Sequence, residues 1–440
     1  MALIINALAY SFGEPVSYGV ITCFALTSAL VAAAFLFLAC RNLGVGIGIS
    51  FLFTLGHSLV LMRNENLSWF SYDAPVQFLL PFFIWSLIKY LQNSGRKYSL
   101  FLGMSAGSLV MTSAVPGIAA LLVTMIVVTF QKKPQSPFRY VIPVLIPVVI
   151  LALLCAKSYR SVGVANISTK GGENGLQFVQ SINSWDPLQL LAFAQEAKAP
   201  KWWQWCFVKS PASGMLYGCC LDNWETPNYR PLREKLLSLS EESLARAVLA
   251  DEQDQINRPW IFYILGTHEC GRRVSAQYNA QSQKIWLKFL LSNPSTFFYG
   301  VVTNTNKFFN YDGPLWLINK GFGGAGFFDK MTRLVNMIML PFLWAGIGLS
   351  YLVFTVFIVR FGKGFFPGRK DAKTKMAGER ALTPISALGI GFLFNNVLFV
   401  IATCCENARM FWMAEPYLVL LAAWAVQRLL KNQDEENVKL

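Results

Sequence analysis

The chain has 440 residues, of which 54% are hydrophobic and only 14% charged. Its mean hydropathy is +0.42. An average soluble domain carries about 25% charged residues, so these figures exclude an ordinary soluble enzyme, a disordered chain and a coiled coil. The net charge of +14 comes from 38 Lys and Arg against 24 Asp and Glu. Where those charges fall decides whether they mark a nucleic-acid surface or a membrane topology.

In chain order, apolar stretches of bilayer length fall at 17–39, 44–62, 74–92, 138–157, 336–359, 382–403 and 414–430. A further apolar stretch at 100–130 is interrupted by Ser113-Ala114-Val115-Pro116-Gly117. The Pro-Gly pair predicts a turn there, and hence two short helices that enter the membrane and return. The expected fold class is an all-α polytopic membrane bundle of about nine membrane segments, with one large α or α+β extracytoplasmic domain. The expected division is an N-terminal transmembrane bundle with the re-entrant pair over 1–157, the extracytoplasmic domain with an interfacial helix over 158–335, and C-terminal transmembrane helices with a cytoplasmic tail over 336–440. Met1-Ala2-Leu3-Ile4-Ile5 has no basic leader and makes a poor signal peptide.

Orientation follows from the basic residues. With the N-terminus outside, seventeen Lys and Arg fall in cytoplasmic connections, among them Arg41, Lys89, Arg96, Lys97, Arg139, Arg428 and Lys431. The short outside loops carry two, Arg63 and Arg409. That split satisfies the positive-inside bias and removes the need for a nucleic-acid partner. Residues 158–335 are polar and nearly balanced in charge. Arg230 to Asp254 has the spacing of an amphipathic surface helix. Ser282 to Tyr299 is also amphipathic, is expected in the membrane interface, and should break at Asn293-Pro294.

Residues able to carry chemistry gather on the outside face. Arg63, Glu65 and Asp73 share one loop, and Glu406 and Arg409 share another, with Glu415-Pro416 at the mouth of the last helix. Carboxylates there could serve as general bases and arginines could bind phosphate; plain interface anchoring is the alternative. His57 lies within an apolar segment, where hydrogen bonding to a neighbouring helix is the expected role. His268 is a second candidate, with no partner that spacing can name. Nine Cys and two His contain no metal-ligand spacing, so no metal site is expected. Cys206, Cys219, Cys220 and Cys270 could form disulfides outside, joined by Cys404 and Cys405. Cys23, Cys40 and Cys155 are expected to pack. Gly321-Phe322-Gly323-Gly324-Ala325-Gly326 lacks the ending of a phosphate loop and reads as a hinge. Asn66 and Asn166 begin glycosylation sequons.

Four segments in this order resemble the GT-C class of polytopic glycosyltransferases, particularly the protein O-mannosyltransferase and lipid A aminoarabinose transferase group. They are the helix from Ser17 that ends at Arg41 and Gly44, residues 95–117 (GRKYSLFLGMSAGSLVMTSAVPG), residues 284–309 (KIWLKFLLSNPSTFFYGVVTNTNKFF) and residues 406–425 (ENARMFWMAEPYLVLLAAWA). The resemblance implies inverting transfer of a sugar from a polyprenyl-phosphate carrier to an acceptor on the extracytoplasmic face. It implies a lipid-phosphate contact for Arg409, with Glu406 accompanying it; Arg63 and Glu415 are further candidates for phosphate binding from their place on the outside face. No cofactor is implied beyond the lipid-linked donor; the partners expected are membrane lipids and that donor. The family's first helix and acidic loop have no counterpart after Met1. Glu14 or Asp73 would then supply the base, or an upstream segment would, or the chain is a non-catalytic subunit of a membrane complex. A transporter is disfavoured by the absence of an internal repeat and by the scarcity of ionisable residues in the apolar segments. The expected location is a bacterial inner membrane.

Overall fold

A computed structural model of the protein describes residues 18–62, 73–93, 95–130, 137–165, 175, 178, 187–198, 269–295, 297–302, 327–365, 382–402 and 407–437. Among these residues the structure is all-helical, with no strand. The main helices are α1 (Tyr18–Asn42), α2 (Ile47–Met62), α3 (Asp73–Gln92), α4 (Arg96–Thr112), α5 (Ala114–Phe130), α6 (Phe138–Val162), α7 (Pro187–Glu196), α8 (Glu269–Ser292), α9 (Phe327–Phe365), α10 (Pro384–Ala402) and α11 (Asn407–Asn437). They divide into two compact units. One holds residues 1–151, 310–396 and 408–440; the other holds 152–309 and 397–407.

In the first unit the connections follow from local chemistry. Gly44 has φ +79°. It ends α1 with Gly44 N–H donating to Arg41 O and Val45 N–H to Cys40 O, the paired bonds of a left-handed helix stop. The Arg41 guanidinium donates to Val45 O and closes the same turn. Ser113 sits between α4 and α5 in extended backbone. Its N–H caps the Leu109 carbonyl, and its own carbonyl accepts from Gly117 N–H. The break therefore falls at Ser113 and not at the expected Pro116-Gly117. Pro116 lies in the first turn of α5, where no backbone donor is required. Gly117 lets the two helices touch, because a Cβ there would lie 2.5 Å from the Val110 Cα.

Helix directions can be read from paired contacts. Phe35 of α1 meets Phe82 and Trp85 of α3, and Gln92 Nε2 donates to Asn42 O at 2.5 Å. These two helices are parallel, and α2 runs back between them in sequence. Gly103 and Gly107 of α4 face Ile142, Ile146 and Ile150 of α6, so that pair is parallel too. Pro143 has no N–H, which leaves the Arg139 carbonyl without its helical donor. The Tyr90 hydroxyl of α3 donates to that carbonyl at 2.9 Å. One end of the unit thus collects Arg41, Lys89, Arg96, Lys97 and Arg139. Lys97 there lies 4.8 Å from the centre of the Tyr98 ring.

The last helix is the hub of this unit. Every residue from Ala414 to Ala423 is buried, which an all-round apolar helix requires. Tyr417 packs on Gly391 of α10, and Leu418 on Gly346 of α9. Gly389 of α10 faces Ser350 and Val353 of α9.

Two helices are long and apolar enough to cross a membrane: Phe138–Val162, mean hydropathy 2.4, and Met337–Val356, mean hydropathy 1.9. Only 11% of the first span and 28% of the second is buried, so both present apolar surface outward. Shorter apolar helices are Leu26–Asn42, Ile47–Ser58, Ala114–Phe130 and Pro384–Leu398. Two spans, rather than the nine expected, therefore meet both length and hydropathy among the described residues.

In the second unit, Phe193 of α7 packs edge-on against Phe289 of α8 at 5.4 Å, and Phe178 meets Phe297. Gly175 lies so close to the Trp286 ring that a Cβ there would be 2.2 Å from Nε1. As expected, the helix breaks at Asn293, whose N–H and Nδ2 both bond the Phe289 carbonyl. Arg230 to Asp254, the 321–326 glycines, His268, Asn66 and Asn166 lie outside the described residues. So do Cys206, Cys219, Cys220, Cys404 and Cys405, and the Cys270 side chain. Cys40 is buried and Cys155 partly so, whereas Cys23 is exposed rather than packed.

Candidate functional site

The most unusual polar contact in the first unit joins α2 to α11. His57 Nδ1 lies 3.4 Å from Glu415 Oε2, with the two side chains 1% and 2% exposed. Among the described buried residues these are the two that can carry charge within the bundle, alongside the phenols and thiols of Tyr90, Tyr417 and Cys40. The contact is at ion-pair distance but lacks hydrogen-bond alignment. Neither ring nitrogen of His57, nor Glu415 Oε2, has a hydrogen-bond partner among the described residues. Burying such a pair is favourable only when its charges compensate closely, because each ion alone costs several kcal/mol to desolvate.

The same two helices meet again at their other ends, where Gly46 N–H donates to Gln427 Oε1 at 2.6 Å. Eleven residues separate the two attachment points on α2 and twelve on α11. Both spans come to roughly 17 Å at 1.5 Å per residue, as straight antiparallel helices require. Gly56 lies against Met339 of α9 and Phe53 against Phe342, so neutral apolar groups flank the His57 level. Further buried polar atoms without a described partner are Thr54 Oγ1, one turn before His57, Asn395 Oδ1 and both side-chain atoms of Asn396. Asn395 Nδ2 donates to Gly391 O at 2.9 Å. The Asn395 side chain also faces the Tyr417 hydroxyl without closing a hydrogen bond to it.

This geometry fixes where the expected site residues stand. The α2–α11 contacts place the C-terminal end of α2 beside the N-terminal end of α11. Because α3 runs antiparallel to α2, its first residue, Asp73, belongs to that end as well. Arg409 is the third residue of α11. Asp73 and Arg409 therefore share the end of the unit opposite Arg41, Lys89 and Arg139. Arg428 and Lys431 fall at the basic end beside Gly46; Arg428 lies over the Trp424 ring at 5.5 Å.

Glu415 is the ninth residue of α11 and is fully buried, not at the helix mouth. The helix extends two turns beyond the apolar run because its polar first residues still favour helical backbone. Glu14, Arg63 and Glu406 lie outside the described residues, and so do the side chains of Asp73 and Arg409. The His57–Glu415 pairing was not foreseen, and neither were the buried side chains of Thr54, Asn395 and Asn396. The available signal was polar side chains inside apolar runs, Thr54 and His57 in one and Asn395-Asn396 in the other.

No known protein family, curated protein or solved structure matches the chain.

Proposed function

We propose that the protein is a polytopic membrane glycosyltransferase of GT-C-like layout, which moves a sugar from a polyprenyl-phosphate carrier to an acceptor at the extracytoplasmic face. The observation that carries this reading is the polarity of the first unit. Its helix directions gather Asp73 and Arg409, together with Asp329, Lys330 and Arg333 of the first turns of α9, at one end and the basic residues of five helices at the other. Under the positive-inside bias the basic end faces the cytoplasm and the Asp73–Arg409 end faces out. The uncovered apolar surface of α6 and α9 is the surface that lipid would cover.

In this reading Arg409 binds the carrier phosphate and offsets the charge that grows on it as the glycosidic bond breaks. Asp73 takes the acceptor's hydroxyl proton as that oxygen attacks the anomeric carbon. Arg63 follows the last residue of α2, and Glu406 precedes the first residue of α11. Glu415 is not assigned to phosphate, because its carboxylate faces His57 and would repel an anion. A non-catalytic subunit of the same layout is the second reading, favoured by the absence of a paired acidic motif in the short outside loops: the acids of the described helix ends there are Asp73 of α3 and Asp329 of α9.

The test is mass spectrometry of glycolipids and glycoproteins from membranes of the source cell carrying wild type, Asp73→Asn or Arg409→Ala. The expected result is loss of one glycosylated product in both variants, at wild-type protein level. Unchanged products in both, with loss of a co-purifying protein, would replace the enzyme by the subunit.

A further inference from the structure

We propose that the seam between α4 and α6, at the basic end of the first unit, holds one anionic phospholipid, its phosphate between Arg96, Lys97 and Arg139 and its acyl chains along apolar stripes of the two helices. The inference rests on the membrane placement given above and not on sugar transfer.

The seam is built from two parallel helices that start side by side. Gly103 and Gly107 of α4 let α6 approach closely, with Ile142, Pro143, Ile146 and Ile150 against them. At 3.6 residues per turn, Arg96 of α4 and Arg139 of α6 fall on the sides of their helices that face each other. Counting back from the Gly103–Ile142 contact sets them about one turn apart along the axis, roughly 5 Å, which long side chains span. Arg96 and Lys97 are exposed and Arg139 partly so. The Arg139 backbone is held by the Tyr90 hydroxyl, yet its side-chain Nε is buried with no hydrogen-bond partner. Helix α4 begins on Gly95 without a side-chain cap, and neither helix has an acid in its first turn. The positive ends of two helix dipoles therefore add to the three cations.

This part of the chain has no charge of its own to balance them. Between Asp73 and Glu173 the sequence contains no acid, and Lys132 and Lys133 precede α6. None of the three cations has an ion-pair partner among the described residues. The 366–381 connection is itself net positive. The acids Asp434 to Glu436 lie on the last turns of α11, a helix fastened at Gln427 to Gly46.

Directly below the cations both helices leave apolar side chains uncovered. Leu100, Met104 and Met111 on α4, and Val141, Leu145 and Val149 on α6, are all about half exposed. Each set keeps to one face of its helix. Measured round the axes from the glycine–isoleucine contact, the two faces open on the same side of the pair. The α4 stripe runs about 16 Å, close to the depth of one leaflet, ~15 Å. Cations at the head of a stripe of leaflet depth match the two halves of a phospholipid. A free phosphate would have no use for the stripe, and an apolar partner helix none for the cations.

Native mass spectrometry of the full-length protein in detergent micelles, titrated with dioleoylphosphatidylglycerol or dioleoylphosphatidylcholine, tests this. Each cation beside an anionic headgroup is worth about fivefold in affinity, so wild type should bind the first phosphatidylglycerol about tenfold or more tighter than phosphatidylcholine. Lys97→Gln/Arg139→Gln should lose that preference. Arg428→Gln/Lys431→Gln, with the same loss of charge on α11, should keep it. Excess glycerophosphoglycerol, the same headgroup without chains, should not displace the lipid. A second readout needs no variant: phosphatidylglycerol with a photoreactive acyl chain, in nanodiscs holding wild type, should label peptides 97–112 and 139–151 above the Met337–Val356 span. The proposal is overturned if the two lipids bind wild type equally, if the α11 variant loses the preference as fully as the α4–α6 variant, if the headgroup alone displaces the lipid, or if labelling is even over the three helices. A chain recovered in the soluble fraction of its source cell would instead remove the membrane placement, and with it both this site and the proposed function.

Discussion

Three glycines on the α4–α5–α6 group have the same residue type and different neighbours, so one substitution series reads out how tightly these helices are locked. At Gly117 an added methyl would sit 2.5 Å from Val110 Cα, 2.7 Å from Val110 N and 3.0 Å from the Leu109 carbonyl carbon. All three are backbone atoms of the facing helix. Carbon atoms in contact normally stand about 3.5–4.0 Å apart, so α4 and α5 would have to separate by about 1 Å. Overpacking of that kind costs about 1–3 kcal/mol, and the loss of facing contacts puts this case at the upper end. Alanine returns at most about 1 kcal/mol of helix propensity. Gly117→Ala is therefore expected to lose about 2 kcal/mol net.

At Gly107 the obstacle is the Ile150 Cδ1 at 2.5 Å, the far end of a side chain. Turning that methyl aside costs about 0.5–1.5 kcal/mol, which nearly cancels the propensity gain. Gly103 is intermediate, because its nearest atom is the Ile142 backbone carbonyl at 2.9 Å. Gly348 in α9 has nothing within 4 Å and serves as the control, expected to gain up to about 1 kcal/mol as alanine. Reversible denaturation of each purified variant in detergent micelles gives the ranking directly. The reasoning is refuted if Gly117→Ala is as stable as wild type, or if Gly107→Ala costs as much as Gly117→Ala.

Three further outcomes are expected. Gln427→Leu should cost about 1–3 kcal/mol by leaving the Gly46 N–H without its acceptor, measured by the same denaturation and absent in a Gln427→Glu variant, whose carboxylate oxygen has the same reach. Single cysteines at Leu145 and Val149, about half exposed on α6, should resist a water-soluble maleimide in inside-out membrane vesicles of a cysteine-replaced background, while one at Lys97 reacts. Equal labelling at all three would remove α6 from the membrane. In the second unit Gly175→Ala should release Trp286, because the added carbon would land on the indole ring; limited proteolysis and tryptophan fluorescence should both change, and an unaltered emission spectrum would contradict the packing.

Local chemistry in the sequence determined most of the helices. Apolar runs located the cores of α1, α2, α3, α6, α9, α10 and α11, since a backbone flanked by apolar side chains satisfies its polar groups most simply as helix. That the 100–130 run is interrupted and that the later helix breaks at Asn293 were legible because caps and prolines act within a few residues, although the turn expected at Pro116-Gly117 falls at Ser113. Helix ends were less so: α9 begins at Phe327 and α11 at Asn407, before their apolar runs, because charged side chains such as Asp329 and Arg409 do not oppose helical backbone. The pairing of His57 with Glu415 was decided only by tertiary packing. The two lie 358 residues apart in the chain, and no local pattern states which helix face meets which. Antiparallel packing of α2 on α11 sets Gly46 against Gln427, and the shared rise per residue then brings the imidazole level with the carboxylate. That is how a glutamate expected at a helix mouth becomes part of a buried pair.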